Sequence, residues 1–406
     1  MTRTLAILVV ALAPLGARAA DAFTLKDGDR VVLIGSTLIE REQRYGYWET
    51  ALTERYPGVT FRNLGWSGDT VFGTAQASFG SVAEGFKHRK DHVAAVKPTV
   101  ILVGYGTNES FDGEAGLPKF LDGLNVLLDA LAPHKARVVL LSPLRHEDLG
   151  RPLPDPAPQN KNVRLYADAL RRVAEKRGCG YVDLYDLLGD GTKTNPPSAY
   201  TDNGMHLTAY GYWRSAAALE QGLGLKPPRW RVEITADGSA KGVTSGAKLD
   251  KVRHNPLRFE VTDDVLPPPP APKDAPKGAA LPGAERVLRV GKLAEGKYVL
   301  KIDGQPVALA GAAEWALGVP LTRGPEFEQA EKLRAAIIDK NHQYFYRWRP
   351  ANETYLFGFR KHEQGQNAAE IPKFDPIVEK MEADIGRLRL PASHTFELAP
   401  QAAAEK

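Results

Sequence analysis

The chain has 406 residues, more than one hydrophobic core usually serves, so two or more domains are expected. Its 53 basic and 49 acidic residues leave a net charge of +4 and are spread without a polybasic tract, which argues against nucleic acid as a partner. Cys179 is the single cysteine and excludes an internal disulfide, so packing must hold the fold.

The N-terminus has a basic residue at Arg3, an apolar run from Leu5 to Leu15 and small residues ending in Ala17-Arg18-Ala19. This is the pattern of a secretory signal over residues 1–19, with a mature protein beginning near Ala20 and exported to the periplasm or medium. The apolar run is shorter than the ~20 residues that span a bilayer, so no membrane span is expected. Residues 20–225 then alternate short apolar runs with longer amphipathic ones. Strands are expected at Val31 to Gly35, Val59 to Leu64, Val100 to Tyr105, Arg137 to Ser142 and Gly180 to Leu184. Helices are expected at Glu40 to Arg55, Ser81 to Val96, Glu114 to Leu131, Lys161 to Arg177 and Thr208 to Gln221. Strands alternating with helices imply a three-layer α/β sandwich around a five-stranded parallel sheet, whose ligand site lies beyond the carboxyl ends of the strands.

After Lys226-Pro227-Pro228 the period changes to two, in segments beginning at Trp230, Leu257, Arg286 and Tyr298. This predicts a small antiparallel β-sandwich over residues 226–312, interrupted by an exposed Pro-rich loop at 266–283. Residues 313–406 read as a helical segment, with helices at Phe327 to Tyr346 and Phe374 to Leu388.

Four blocks in the first region carry polar groups to one sheet edge. Val31 to Thr37 runs from strand into turn and ends on two hydroxyls, Ser36 and Thr37, beside a helix N-terminus. Asn63 to Thr70 contains Gly68, whose backbone N–H can turn into the site. Gly104 to Glu109 carries Asn108, whose amide can donate to an oxyanion. Tyr200 to Thr208 carries Asp202, Asn203 and His206 just before the last helix of the region. His88 and His92, four apart on a helix, lack a metalloprotease pattern and read as a solvated face, so neither a metal nor a cofactor is expected.

In this order, over roughly residues 30–223, the blocks resemble those of the SGNH (GDSL-type) hydrolase superfamily. The resemblance implies an SGNH/flavodoxin-like fold and ester hydrolysis by a hydroxyl nucleophile, a histidine base and an oxyanion hole made by Gly68 and Asn108. It also marks departures. The family's Gly-Asp-Ser falls on Gly35, Ser36 and Thr37, so Thr37 occupies the nucleophile register and Ser36 is the alternative. The family's Asp-x-x-His puts Asn203 where the orienting carboxylate belongs, with Asp202 one residue early, and Glu109 stands where Asp is usual. An acyl ester, with acetylated carbohydrate foremost, is the substrate the resemblance implies; a catalytically degraded fold that binds carbohydrate or serves structure is the alternative.

The segment from Tyr344 to Asn367 is dense in aromatic, Arg and amide groups. Tyr355, Phe357 and Phe359 alternate as on a packed strand, whereas Arg347, Arg349, Arg360 and His362 are candidates for ligand binding.

Overall fold

A computed structural model describes residues 23–240, 242–363 and 367–401; the expected signal segment lies outside them. The five apolar runs form β1 (Arg30–Gly35), β2 (Thr60–Asn63), β3 (Val100–Gly104), β4 (Arg137–Leu141) and β5 (Gly180–Val182). All pair in parallel, in the order β2-β1-β3-β4-β5. Val31 and Leu33 enter the core on one face, Val32 and Ile34 the core on the other, which is why the strand reads as a continuous apolar run. The chain order reverses between β1 and β3, so the crevice beyond Gly35 and Gly104 is where a ligand site belongs.

The helix expected from Glu40 to Arg55 is two helices, α1 (Thr37–Tyr45) and α2 (Tyr47–Arg55). Gly46 adopts φ 66° between them, and the buried Glu42 accepts the amides of Trp48 at 2.7 Å and Glu49 at 3.4 Å. Helical period continues across the break, so periodicity alone hides it. Burial pushes the Glu42 carboxyl up to about 8. The remaining crossovers are α3 (Val82–Val96), α4 (Gly113–Leu131), α5 (Ala157–Arg177), α6 (Leu184–Leu188) and α7 (Ala209–Gly222). His88 and His92 do not share a solvated face. His88 is exposed, but His92 packs edge-on against Trp348, with ring centroids 5.2 Å apart, and burial lowers it to about 4.

The β-region contains β6 (Trp230–Thr235), β7 (Val243–Ser245), β8 (Ala247–His254), β9 (Leu257–Asp263), β10 (Arg286–Gly291), β11 (Lys297–Ile302) and β12 (Gln305–Gly311). The short α8 (Ala312–Leu317) and β13 (Val319–Pro320) follow. Next come α9 (Pro325–Trp348), α10 (Glu353–Leu356) and α11 (Phe374–Leu388), and last β14 (Ser393–Pro400). The four-stranded sheet β13-β10-β6-β7 is mixed, because β6 and β10 are parallel, unlike the antiparallel sandwich expected. The five-stranded sheet is β12-β11-β14-β9-β8. Residues 313–406 are therefore not wholly helical: β14 lies between β11 and β9 and adds Phe396 and Leu398 to the shared core. Its apolar alternation is short and separated by about a hundred residues from its partners, which no local pattern reveals.

The helical segment also grips the α/β region. Lys340 of α9 is buried 2.7 Å from Glu49 of α2, and Asn341 donates to the same carboxylate. The Pro-rich segment is a loop with much of 270–283 exposed, and it is nonetheless anchored to the helices at several points. Leu266 packs beneath α9, the Trp213 indole donates to Pro269 O at 2.9 Å, and Asp274 accepts the Tyr210 amide in the first turn of α7. Turns within the segment satisfy the Pro272 and Pro276 carbonyls, and α7 donates to those of Pro269 and Ala280. Among the described residues no helix is long and apolar enough to cross a membrane. Limited proteolysis of the folded protein should leave residues 266–283 uncut. Asp274→Ala should lower stability by about 1 kcal/mol and expose the segment to cleavage. Rapid cutting there in the unaltered protein would contradict this packing.

Candidate active site

Glycines allow the first turn of α1 to approach the sheet edge. A Cβ on Gly35 would lie 2.4 Å from Gly104 O and 2.5 Å from Ile39 Cγ1; one on Gly65 would lie 2.3 Å from the Glu40 amide. The turn after β2 consequently rests on α1, and the Gly68 N–H donates to Thr37 Oγ1 at 3.3 Å. Gly68 is exposed with φ 78°, a left-handed conformation that glycine adopts without strain. Ser36 is buried, its amide donates to Gly104 O at 3.1 Å, and its hydroxyl does not cap the helix. That backbone bond ties the turn to the end of β3.

Asn108 follows β3 and donates one amide hydrogen to Asp69 O at 2.7 Å, beside Gly68. No second bond from this amide group is seen among the described residues. Asp69 is fully buried and accepts from the Ala75 amide, Gln76 Nε2 and Tyr105 OH, each at 3.1 Å. Glu109, where the family has Asp, spans the two loops by accepting the Val71 amide at 2.8 Å and the Gly106 amide at 2.9 Å. Burial raises its pKa.

The loop before α7 carries His206. Asn203 Oδ1 accepts the amides of Met205 at 3.1 Å and His206 at 2.9 Å, while its Nδ2 lies 3.0 Å from His206 Nδ1. Two backbone donors fix the oxygen end of this amide, so the NH₂ faces the ring and donates to it. His206 Nδ1 therefore accepts and Nε2 carries the proton. A carboxylate in this register would accept from the ring, whereas Asn203 donates to it. Asp202 does not touch the ring; it pairs with Arg41 at 3.0 Å. Among the described residues His206 is not hydrogen-bonded to Ser36 or Thr37. Burial, and then Arg41, lower its pKa, with Asp202 opposing, so the ring is neutral at pH 7.

Three groups that organise this edge escaped the sequence reading. Arg41 lies one helical turn beyond Thr37 and donates to Asp202 and, at 3.2 Å, to Leu207 O, so it ties the His206 loop to the face of α1 that bears Thr37. Its i+4 spacing from Thr37 was the available signal. Glu147 is buried and accepts the amides of Gly191, Tyr200 and Thr201 together with the Thr201 hydroxyl, an arrangement between distant segments that leaves no local trace. His146 is buried beside it, with its ring 6.0 Å from that of Phe111. Burial, and then His206, lower its pKa.

Of the C-terminal candidates, Arg349 comes nearest to these loops. It stacks 3.5 Å over Trp66 and reaches Glu40 at 3.2 Å, and Glu40 in turn accepts the Ser67 amide. Arg347 is engaged by Asp375 at 2.7 and 3.1 Å, Arg360 by Glu363, and His362 is exposed; none of these three meets Thr37 or His206. Tyr355, Phe357 and Phe359 do not form the packed strand expected: they lie in α10 and the turns after it, with Phe357 and Phe359 exposed.

Residues 28–214 match the model of the GDSL-like Lipase/Acylhydrolase family. No curated protein matches the chain. Among solved structures it is similar to BT4096, a gut microbial diltiazem-metabolizing enzyme, with 15% identity and a TM-score of 0.70 over 93% of this chain and 99% of that one. It is also similar to Axe2, an acetylxylan esterase from Geobacillus stearothermophilus, with 19% identity and a TM-score of 0.40 over 50% of this chain and 96% of that one. LAE5, an alpha/beta hydrolase from the metagenome of Lake Arreo, has 21% identity and a TM-score of 0.38 over 49% of this chain and 97% of that one. The first likeness is one of fold and extends through the β-region and C-terminal helices.

The Asn203 contact has a direct consequence. In a serine-protease triad, Asp to Asn costs about 10⁴ in rate by imposing the wrong tautomer. Asn203→Asp, which lets Nδ1 donate, should raise kcat for an acyl ester by about tenfold or more; an unchanged or lower kcat in a folded variant would show that this residue does not set the tautomer.

Proposed function

Through residues 28–214 the chain belongs to the GDSL-like lipase/acylhydrolase family, hydrolases acting on ester bonds, and from that premise we propose an exported enzyme that removes short acyl groups, acetyl foremost, from carbohydrate. Export is supported by the basic, apolar and small-residue order of the first 19 residues. The observation that carries the reading is the contact between Thr37 Oγ1 and the Gly68 N–H at an open, polar sheet edge. Thr37, Arg41, Asp202, Asn203 and His206 surround that edge with polar groups, which suits a small acyl group on a hydroxylated alcohol better than a long lipid chain.

In this reading Thr37 Oγ1 attacks the ester carbonyl and His206 takes its proton through Nε2. The carbonyl oxygen becomes an oxyanion held by the Gly68 N–H and the second amide hydrogen of Asn108, with the N-terminal end of α1 adding positive potential. His206 then protonates the departing alcohol, and water releases the acyl group from Thr37 by the same steps in reverse. The ring can accept at Nε2 only after its proton moves to Nδ1, where it would face the Asn203 NH₂. Turnover should therefore be slow.

Release of acetate from acetylated xylan oligomers, acetylated simple sugars and p-nitrophenyl acetate tests the assignment. Thr37→Ala and His206→Ala should each lower kcat by about 10³ or more. Thr37→Ser should retain or raise it by removing the methyl group, and Ser36→Ala should cost only a modest factor. Loss of activity in Ser36→Ala with retention in Thr37→Ala would transfer the role to Ser36. A wild-type protein inactive on all three substrates would favour a carbohydrate-binding role.

A further inference from the structure

A cavity of about 480 Å³ lies between the sheet and the C-terminal helices, near the amino ends of β1 and β2 and away from Thr37. That volume is in the range of small-molecule sites. Tyr344, Trp348 and Phe357 give it aromatic walls, and Arg62, Arg347 and Asp375 give it charged ones. The guanidinium groups are already engaged: Arg62 lies under the Tyr344 ring at 4.8 Å and is forked by Glu382, and Arg347 is forked by Asp375. A free anion would have to compete with those carboxylates, and a purely apolar ligand would strip water from paired charges without replacing its hydrogen bonds. A ligand with C–H faces and hydroxyl edges meets both demands. Trp348 is only 8% exposed, and its indole N–H has no partner among the described residues, which leaves a buried donor in this wall without an acceptor.

A line of exposed rings leads out of the cavity. Phe357, at its rim, is 54% exposed; Phe359, two residues on, is 71% exposed and meets Phe79, 85% exposed, edge-on at 6.2 Å. Phe79 ends the loop whose Ala75 amide and Gln76 side chain are bonded to Asp69, the neighbour of Gly68. Exposed rings brought together from two distant parts of the chain, Phe359 and Phe79, with Phe357 two residues away in sequence, mark an interaction surface rather than scattered surface apolarity. The six residues of β1 separate the two ends of the sheet by roughly 20 Å, a span for an oligosaccharide and too long for one sugar.

We propose that this cavity is a saccharide subsite, and that Phe357, Phe359 and Phe79 form a track along which the same sugar chain reaches the catalytic turn. The proposal rests on the carbohydrate-ester reading and adds to it a polymer preference and a second binding site. Isothermal titration of the full chain with unesterified xylohexaose, cellohexaose and mannohexaose tests it. At least one should bind saturably, and Phe357→Ala and Phe359→Ala should each weaken that binding about tenfold, the loss of roughly one stacking contact. Because these probes carry no ester, binding by a protein that hydrolyses no sugar ester would support the subsite while removing the esterase reading. No saturable binding by any of the three, or equal binding by both variants, would overturn the proposal.

Discussion

The first turn of α1 lies against Gly35, Gly65 and Gly104, closer than any Cβ would permit. That approach fixes almost everything at the carboxyl edge of the sheet. It brings Thr37 Oγ1 under the Gly68 N–H, lets Glu40 hold the Ser67 amide, and aims Arg41 across the crevice at the His206 loop. A methyl group on Gly65 would meet the backbone of α1 itself and push the helix away from the turn that carries Gly68. The site is therefore a packing result first and a chemical one second.

What the packing assembles is a neutral histidine in an unusual hydrogen-bond setting. Burial, and then Arg41, disfavour the imidazolium against the pull of Asp202, and the Asn203 NH₂ fills the place where a carboxylate would stabilise it. Asn203 is well suited to a different task, since its oxygen caps two amides of the tight loop that presents His206. The oxygen end serves the loop, while the NH₂ end leaves the imidazolium without the carboxylate that would stabilise it. Glu147 strengthens the same loop from below by collecting four donors, which holds His206 in place without adding to its basicity.

The parts legible in the sequence were those written in local pattern. Val31 to Gly35 and Val100 to Tyr105 announce buried parallel strands because both faces are covered, and the blocks at Gly68, Asn108 and His206 stand where strands meet turns. Legibility failed where the determining contact was distant or rotational. The break at Gly46 depends on the Glu42 carboxylate, the return of Phe396 to the β-core on partners far upstream, and the anchoring of Leu266 to Asp274 on α7 and α9. Asn203 could be placed in register from sequence, but the direction of its hydrogen bond follows from two backbone amides that only the folded loop positions. The exposed Phe357 and Phe359 were misread for a related reason: alternation marks a strand only where a neighbouring strand exists.

The tautomer of His206 is the point on which the chemistry turns. Nitrogen-15 NMR of the imidazole, recorded on the full chain at neutral pH and assigned with His206→Gln, reads it directly. The structure predicts a neutral ring with the proton on Nε2 and an unprotonated Nδ1. A ring protonated at Nδ1, or charged at pH 7, would contradict the account of Asn203 as the donor that restrains this site.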